Sequence, residues 1–160
     1  MDCVWGVLYF IISISGFMQN FCKKIVTLGH LGYLAGSGTW ATACTLPVVW
    51  FISSSFTLSI LLGIFFLGAT VYSFPLFKEH DPSEIVADEI IGFTCAMFGI
   101  ARLGWVYLLG FLLFRLLDIT KTCGIHRVEK LPGVTGVVMD DVVAGLYTNL
   151  LLRLCLWLFL

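Results

Sequence analysis

The chain has 160 residues, of which 59% are hydrophobic and only 12% charged, and its mean hydropathy is +1.01. A soluble domain carries about 25% charged residues, so this composition excludes an ordinary water-soluble domain and points to a membrane. Nine basic against ten acidic side chains, a formal net charge of −1, exclude nucleic-acid backbone binding as the main business.

The first apolar run, residues 3–22, is 20 uncharged residues, enough to span the ~30 Å hydrocarbon layer. Asp2 precedes it and Lys23 and Lys24 follow it, the reverse of a cleaved signal peptide. A retained span with a cytoplasmic C-terminal end is expected; Met18 offers an alternative start. A Gly-rich polar segment follows at 27–39, with Gly29, Gly32, Gly36, Gly38 and His30. Next come two apolar stretches, 40–52 with Pro47 inside it and 56–77, parted by Ser53, Ser54 and Ser55. The second, at 22 residues, is the clearest span; the first, at 13, reads as tilted, broken or interfacial.

The second polar segment is 78–89. Beyond it, the 28-residue run 90–117 is interrupted by Arg102 and Gly104 and predicts two short helices in a hairpin. A third polar segment, 118–141, carries Gly124, Pro132, Gly133 and Gly136 as loop markers. The last run, 142–160, is long enough to span, with Arg153 near enough to its end to snorkel.

Two apolar stretches separate each successive pair of polar segments. An even number of crossings returns the chain to the same side, so the three segments are expected on one face. Lys23, Lys24, Lys121, Arg127 and Lys130 make that face cytoplasmic. The expected fold is all-α, a multihelical integral membrane protein of roughly five to six hydrophobic helices with its polar active-site segments on one face.

Charge placement locates the candidate chemistry. No Asp, Glu, Lys or Arg lies between Lys24 and Lys78, whereas nine of the ten acids fall between Glu79 and Asp141. Ionisable residues concentrated in this way within a membrane protein mark a functional site. If the helix begins at Ile85, Glu84 and Asp88 share a face and Glu89 lies about 100° away. A divalent cation would offset their repulsion, and the head of an apolar helix suits carboxylates; a solvated acidic helix start is the plainer alternative. Arg115, Asp118 and Lys121 recur every three residues as a plus, minus, plus stripe, readable as a salt bridge or as a phosphoryl clamp. Asp140 and Asp141, just before the last apolar run, diverge by about 100° on a helix. One would then coordinate a metal while the other binds a second ligand or positions water. Ala144 and Gly145 leave room for close helix approach, and Asn149 extends the polar face. Oxygen-only ligands select a hard cation, with Mg²⁺ the first expectation. The six cysteines show no C-x-x-C pair and no zinc spacing with histidine, and His30, His80 and His126 stand alone.

The ordered set Gly38-Thr39 with Pro47 behind it, Ile85-Val86-x-Asp88-Glu89-x-x-Gly92, Phe114-Arg115-x-x-Asp118-x-x-Lys121 and Met139-Asp140-Asp141-x-x-Ala144-Gly145 resembles phosphatidylglycerophosphatase A. The resemblance runs from about Thr27 to Asn149. It implies an Mg²⁺-dependent enzyme of the bacterial cytoplasmic (inner) membrane that hydrolyses the phospholipid phosphatidylglycerophosphate to phosphatidylglycerol and phosphate. Carried onto this chain, it implies catalytic residues Asp88, Glu89, Asp118, Asp140 and Asp141. Asp88, Glu89, Asp140 and Asp141 would serve as metal ligands or water-activating base, and Arg115, Lys121 and Thr39 would bind substrate. Asp118 would orient the two bases, and the diacyl tails would lie between helices. The site would face the cytoplasm. Two departures touch loops: Ser37 stands where the family has a proline, and Thr122-Cys123-Gly124 replaces a Pro-x-Pro. One membrane-embedded domain is expected over 1–160, with 1–22 an added hydrophobic helix and 27–149 the shared core.

A small transporter or ion-binding membrane subunit is the main rival, since it too would gather acids, although no internal repeat is visible. A CDP-alcohol phosphotransferase would need an Asp-Gly and Ala-Arg signature that the chain lacks.

Overall fold

A computed structural model of the protein describes residues 2–77, 83–122 and 124–159, with the backbone alone for 2–12 and 159. Residues 78–82 of the second polar segment, His80 among them, and Cys123 lie outside the described residues, as does the side chain of Cys3. Among the described residues there are seven α-helices and no strands. These are α1 (Asp2–Val26), α2 (Ser37–Ile52), α3 (Phe56–Ser73), α4 (Ala87–Met97), α5 (Gly104–Thr120), α6 (Ile125–Glu129) and α7 (Val134–Phe159).

Local chemistry sets the boundaries. Gly36, at φ +71°, turns the chain into α2, a left-handed conformation that glycine adopts without penalty. Pro47 lies inside α2 without ending it, so of the three alternatives, tilted, broken or interfacial, the break does not occur. The Ser55 hydroxyl accepts from the Leu58 amide and caps α3. The apolar run 90–117 divides as expected into α4 and α5, with Gly99 at φ +65° between them.

Two helical stretches are long and apolar enough to cross a membrane, Phe56–Leu76 and Val134–Leu158. At 1.5 Å per residue their 21 and 25 residues run about 31 and 37 Å. Roughly five to six hydrophobic helices were expected; among the residues whose side chains are described, these two stretches are long and apolar enough to cross. The 16 residues of α2 and 11 of α4 fall short of the ~17–25 that a crossing needs.

The last helix corrects a second expectation. It begins at Val134, so Asp140 and Asp141 sit two turns inside α7 instead of ahead of it. Gly136 misled as a loop marker because it is a packing glycine. A Cβ there would lie 2.2 Å from the Leu131 carbonyl oxygen.

Helix α4 is the hub, packing along α7 more extensively than any other pair and touching α2, α3 and α5 as well. Its crossing with α7 is made of glycines. A Cβ on Gly145 would fall 2.2 Å from the Gly92 carbonyl oxygen, and one on Gly92 would fall 2.6 Å from that of Asp141. Below this crossing, Phe93, Met97, Tyr107, Phe114 and Leu152 form the main buried core. A smaller cluster of Val26, Ala69, Ile85, Ala87 and Val137 ties α1 and α3 to the head of α4, and the Val86 amide donates to the Val26 carbonyl at 2.9 Å.

Candidate active site

The three polar segments converge on one cleft of about 260 Å³. The start of α2 contributes Gly36, Ser37 and Gly38, and the head of α4 contributes Asp88 and Glu89. The end of α5 brings Arg115, Asp118 and Lys121, and α7 brings Asp140 and Asp141. Ser37 also donates to the Ser83 carbonyl at 3.3 Å, joining the first segment to the second.

Each adjacent acid pair is organised alike. Asp88 Oδ1 accepts the Glu89 amide at 3.0 Å, and Asp140 Oδ1 accepts the Asp141 amide at 2.9 Å. One oxygen of the leading aspartate is thereby fixed by backbone, and the two side chains of each pair diverge. Asp88, Glu89 and Asp141 each present an oxygen to one point, all within 4.8 Å of one another. Oxygens on one cation of the Mg²⁺ or Ca²⁺ class span about 4–5 Å across the ion, so this trio has the geometry to hold one.

Two further observations support the fit. Glu89 Oε2 is buried without a hydrogen-bond partner. Burial, and after it the charges of Glu89 and Asp141, push the Asp88 carboxyl well above the ordinary carboxylate range. Burial raises Glu89 as well. Buried carboxylates in contact are stable only with a proton or a cation between them. The glutamate reaches its place because α2 has no side chain at Gly38, where a Cβ would stand 2.0 Å from Glu89 Oε1.

The fourth expected metal ligand goes elsewhere. Asp140 Oδ2 accepts from Lys121 Nζ at 2.9 Å, and Glu129 Oε1 accepts from the same ammonium at 2.6 Å. Lys121 caps α5 at φ +46°, a left-handed position where glycine is the usual residue. The two ion pairs hold it there. Burial acts to lower the lysine, but hydrogen bonds and charges of Glu129 and Asp140 overcome this and hold it above its ordinary value. The hydrogen bond from Lys121 in turn holds Glu129 below the ordinary range.

Opposite the acids, Arg115 Nη1 lies 2.7 Å from Asp118 Oδ2, while Arg115 Nε is buried with no partner. Asp118 also contacts the Asp141 carboxyl. The expected stripe is therefore divided, its arginine held by Asp118 and its lysine by Asp140 and Glu129.

Other expectations land outside the cleft. Thr39 is exposed and not among the lining residues, and its amide is spent on the Gly36 carbonyl. Glu84 precedes α4 in a turn whose backbone presses on Gly32, so it shares no helical face with Asp88. Asn149 serves the far end of α4, and His126 pairs with Glu129 at 3.2 Å. Sequence reasoning assigned no site role to Ser37, named there only as a departure from proline, or to Glu129. The serine fills a place where the expected motif has proline, and the glutamate lies in a polar loop that nothing local distinguishes.

Fold and cleft together define an all-helical membrane protein with a cation-type acidic cluster facing two basic side chains. The chain matches the family described as phosphatidylglycerophosphatase A over residues 24–156 and belongs to it. A Haemophilus influenzae protein named phosphatidylglycerophosphatase A is 40% identical over 70 residues, 42% of this chain and 43% of that one. A Bacteroides thetaiotaomicron protein named as a candidate phosphatidylinositol-3-phosphatase is 37% identical over 81 residues, 49% and 51% of the two chains. A Canis lupus familiaris ammonium transporter Rh type C is 42% identical over 56 residues, 35% of this chain but 12% of that one. The matched stretches thus span about half the length of the first two relatives. No solved structure matches the chain.

Proposed function

We propose that this protein is an Mg²⁺-dependent lipid phosphatase that hydrolyses phosphatidylglycerophosphate to phosphatidylglycerol and inorganic phosphate. It acts at the cytoplasmic face of a bacterial inner membrane as one domain over 1–160, with the shared core at 27–149 and residues 1–22 an added hydrophobic helix. The observation that carries this reading is a pair of buried, partnerless atoms of opposite demand in one cleft. Glu89 Oε2 calls for a cation and Arg115 Nε for an anion, and a cation with a phosphomonoester satisfies both.

Asp88, Glu89 and Asp141 are the residues that would hold Mg²⁺, which when bound neutralises phosphoryl oxygens and orients a water. Arg115 binds a phosphoryl oxygen through its free Nε, and Lys121 binds another through the one ammonium hydrogen not spent on Glu129 and Asp140. Asp118 fixes the arginine, and Asp140 fixes the lysine. Ser37 and Gly38, at the positive end of α2, take the place first given to Thr39. Hydrolysis breaks the P–O bond to glycerol, with the attacking water losing a proton and the leaving alkoxide gaining one. We assign the first transfer to Asp118, which lines the cleft outside the cation-holding trio.

The test is phosphate release from phosphatidylglycerophosphate in membranes, with and without EDTA. Asp88→Asn, Asp141→Asn and Arg115→Ala are expected to lose at least about 10²-fold in rate. Asp140→Asn is expected to slow turnover without changing the Mg²⁺ concentration dependence. Near wild-type release by the first three variants would overturn the site. Ion uptake into proteoliposomes in place of phosphate release would favour the transporter.

A further inference from the structure

A second cavity, about 550 Å³, lies on the other side of the α4–α7 pair, with α3 as its outer wall. Its polar lining is nearly mute. The Ser59 hydroxyl is spent on the Ile52 carbonyl and the Thr94 hydroxyl on that of Ile90, so neither is free to recognise a polar group. The cavity follows α7 from Val134 to Leu146, three turns or about 18 Å, a little over half of the ~30 Å hydrocarbon layer. That is one leaflet. Its depth is tied to the active site because the two share the same turns of helix. Val138, Met139 and Val142 face the groove while Asp140 and Asp141 face the cleft, and Ile91 lies less than one turn beyond Asp88.

We propose that this groove holds one acyl chain of the lipid whose phosphorylated headgroup occupies the cleft. The inference rests on the lipid-phosphatase reading and adds where the substrate's tail sits. Two considerations select the occupant. Apart from Thr135, exposed at the first turn of α7, the lining hydroxyls are already bonded, so an extended peptide would find few partners for its backbone along the groove. The outer wall, α3, is itself one of the two membrane-crossing stretches, with Ile64 and Leu67 exposed on it, so a lipid reaches the groove sideways from its own leaflet.

Helix α3 also supplies the means of testing this. Gly63 lines the groove and a side chain there would meet nothing within 4 Å. Gly68 is equally open but does not line it. Gly63→Phe therefore fills the groove without pressing on backbone, Ile64→Trp does so from the next position, and Gly68→Phe adds the same bulk elsewhere on α3.

Phosphate release is measured on long-chain phosphatidylglycerophosphate and on its water-soluble deacylated headgroup. Native mass spectrometry of the purified full chain counts retained long-chain phosphatidylglycerol as a readout independent of turnover. The expected result is a tenfold or greater rise in KM for the long-chain substrate with Gly63→Phe and Ile64→Trp. Headgroup hydrolysis stays within about twofold, one bound lipid is lost, and Gly68→Phe behaves as wild type. Equal effects on both substrates, or lipid retained by both groove variants, would overturn the groove. If the wild type releases no phosphate but loses its bound lipid on Gly63→Phe, the groove stands and the phosphatase reading falls.

Discussion

At the residue scale the cleft depends on what is missing from Gly38. This glycine opens α2, where alanine would ordinarily stabilise the helix by up to about 1 kcal/mol. Here its added carbon would stand 2.0 Å from Glu89 Oε1 and 3.0 Å from Arg115 Nη1, so the carboxylate and the guanidinium must both retreat. Gly38→Ala is expected to lower phosphatase activity by about 10²-fold, the penalty for misplacing reacting groups by an ångström. Its melting temperature is expected to hold or rise. A parallel loss of activity and stability would show that the glycine serves folding and not the site. The Gly38-Thr39 pair was visible in the sequence, and the family resemblance gave the substrate-binding role to the threonine. A glycine's role is steric and exists only once α4 is laid against it.

At the element scale α4 is a half-helix of 11 residues whose two ends need different company. Its head carries Asp88 and Glu89, favoured by the positive end of the helix dipole. Its tail leaves carbonyls in an apolar interior, where an unpaired polar group is expensive. Asn149 Nδ2 donates to the carbonyls of Cys95, Ala96 and Phe98 at 3.3, 2.8 and 2.9 Å. Arg153 completes the arrangement, donating to Asn149 Oδ1 at 2.7 Å and to the Phe98 carbonyl at 3.0 Å. Asn149→Leu is expected to destabilise the protein by about 2 kcal/mol, a fall in Tm of roughly 4–8 °C. An unchanged Tm would mean that these carbonyls find other donors. The sequence placed Asn149 on the polar face of α7 and Arg153 as a snorkelling side chain, because it offered no sign that a neighbouring helix ends beside them. The helical segments themselves were legible from apolar runs and their interruptions. The start of α7 was not, since a glycine that packs and a glycine that turns look alike until the preceding turn, whose Glu129 and Leu131 carbonyls press on Gly136, is in place.

At the scale of the whole molecule, seven of the nineteen charged side chains line the one cleft where four helices meet. Ions concentrated in this way trade stability for function. Two carboxylates about 4 Å apart repel by about 4 kcal/mol at the effective dielectric of a protein surface, and the cleft holds three with oxygens within 4.8 Å. Their helices, α4 and α7, are the pair on which the fold is built, so the strain falls on the most extensive packing in the molecule. A cation bound by the trio would relieve it and join the two helices. Saturating Mg²⁺ at a hundred times its Kd contributes about 2.7 kcal/mol, which for a chain of this length raises Tm by roughly 5–10 °C over the EDTA-treated protein. Asp141→Asn removes one of the three crowded acids, so in EDTA this variant is expected to melt above the wild type. In Mg²⁺ the order is expected to reverse, since on the proposed assignment the variant lacks one ligand and would gain little from the ion. Thermal denaturation of both proteins in detergent, with and without Mg²⁺, reads all four values. If Asp141→Asn is no more stable than wild type in EDTA and responds to Mg²⁺ as fully, the ion is held elsewhere and the trio is not its site.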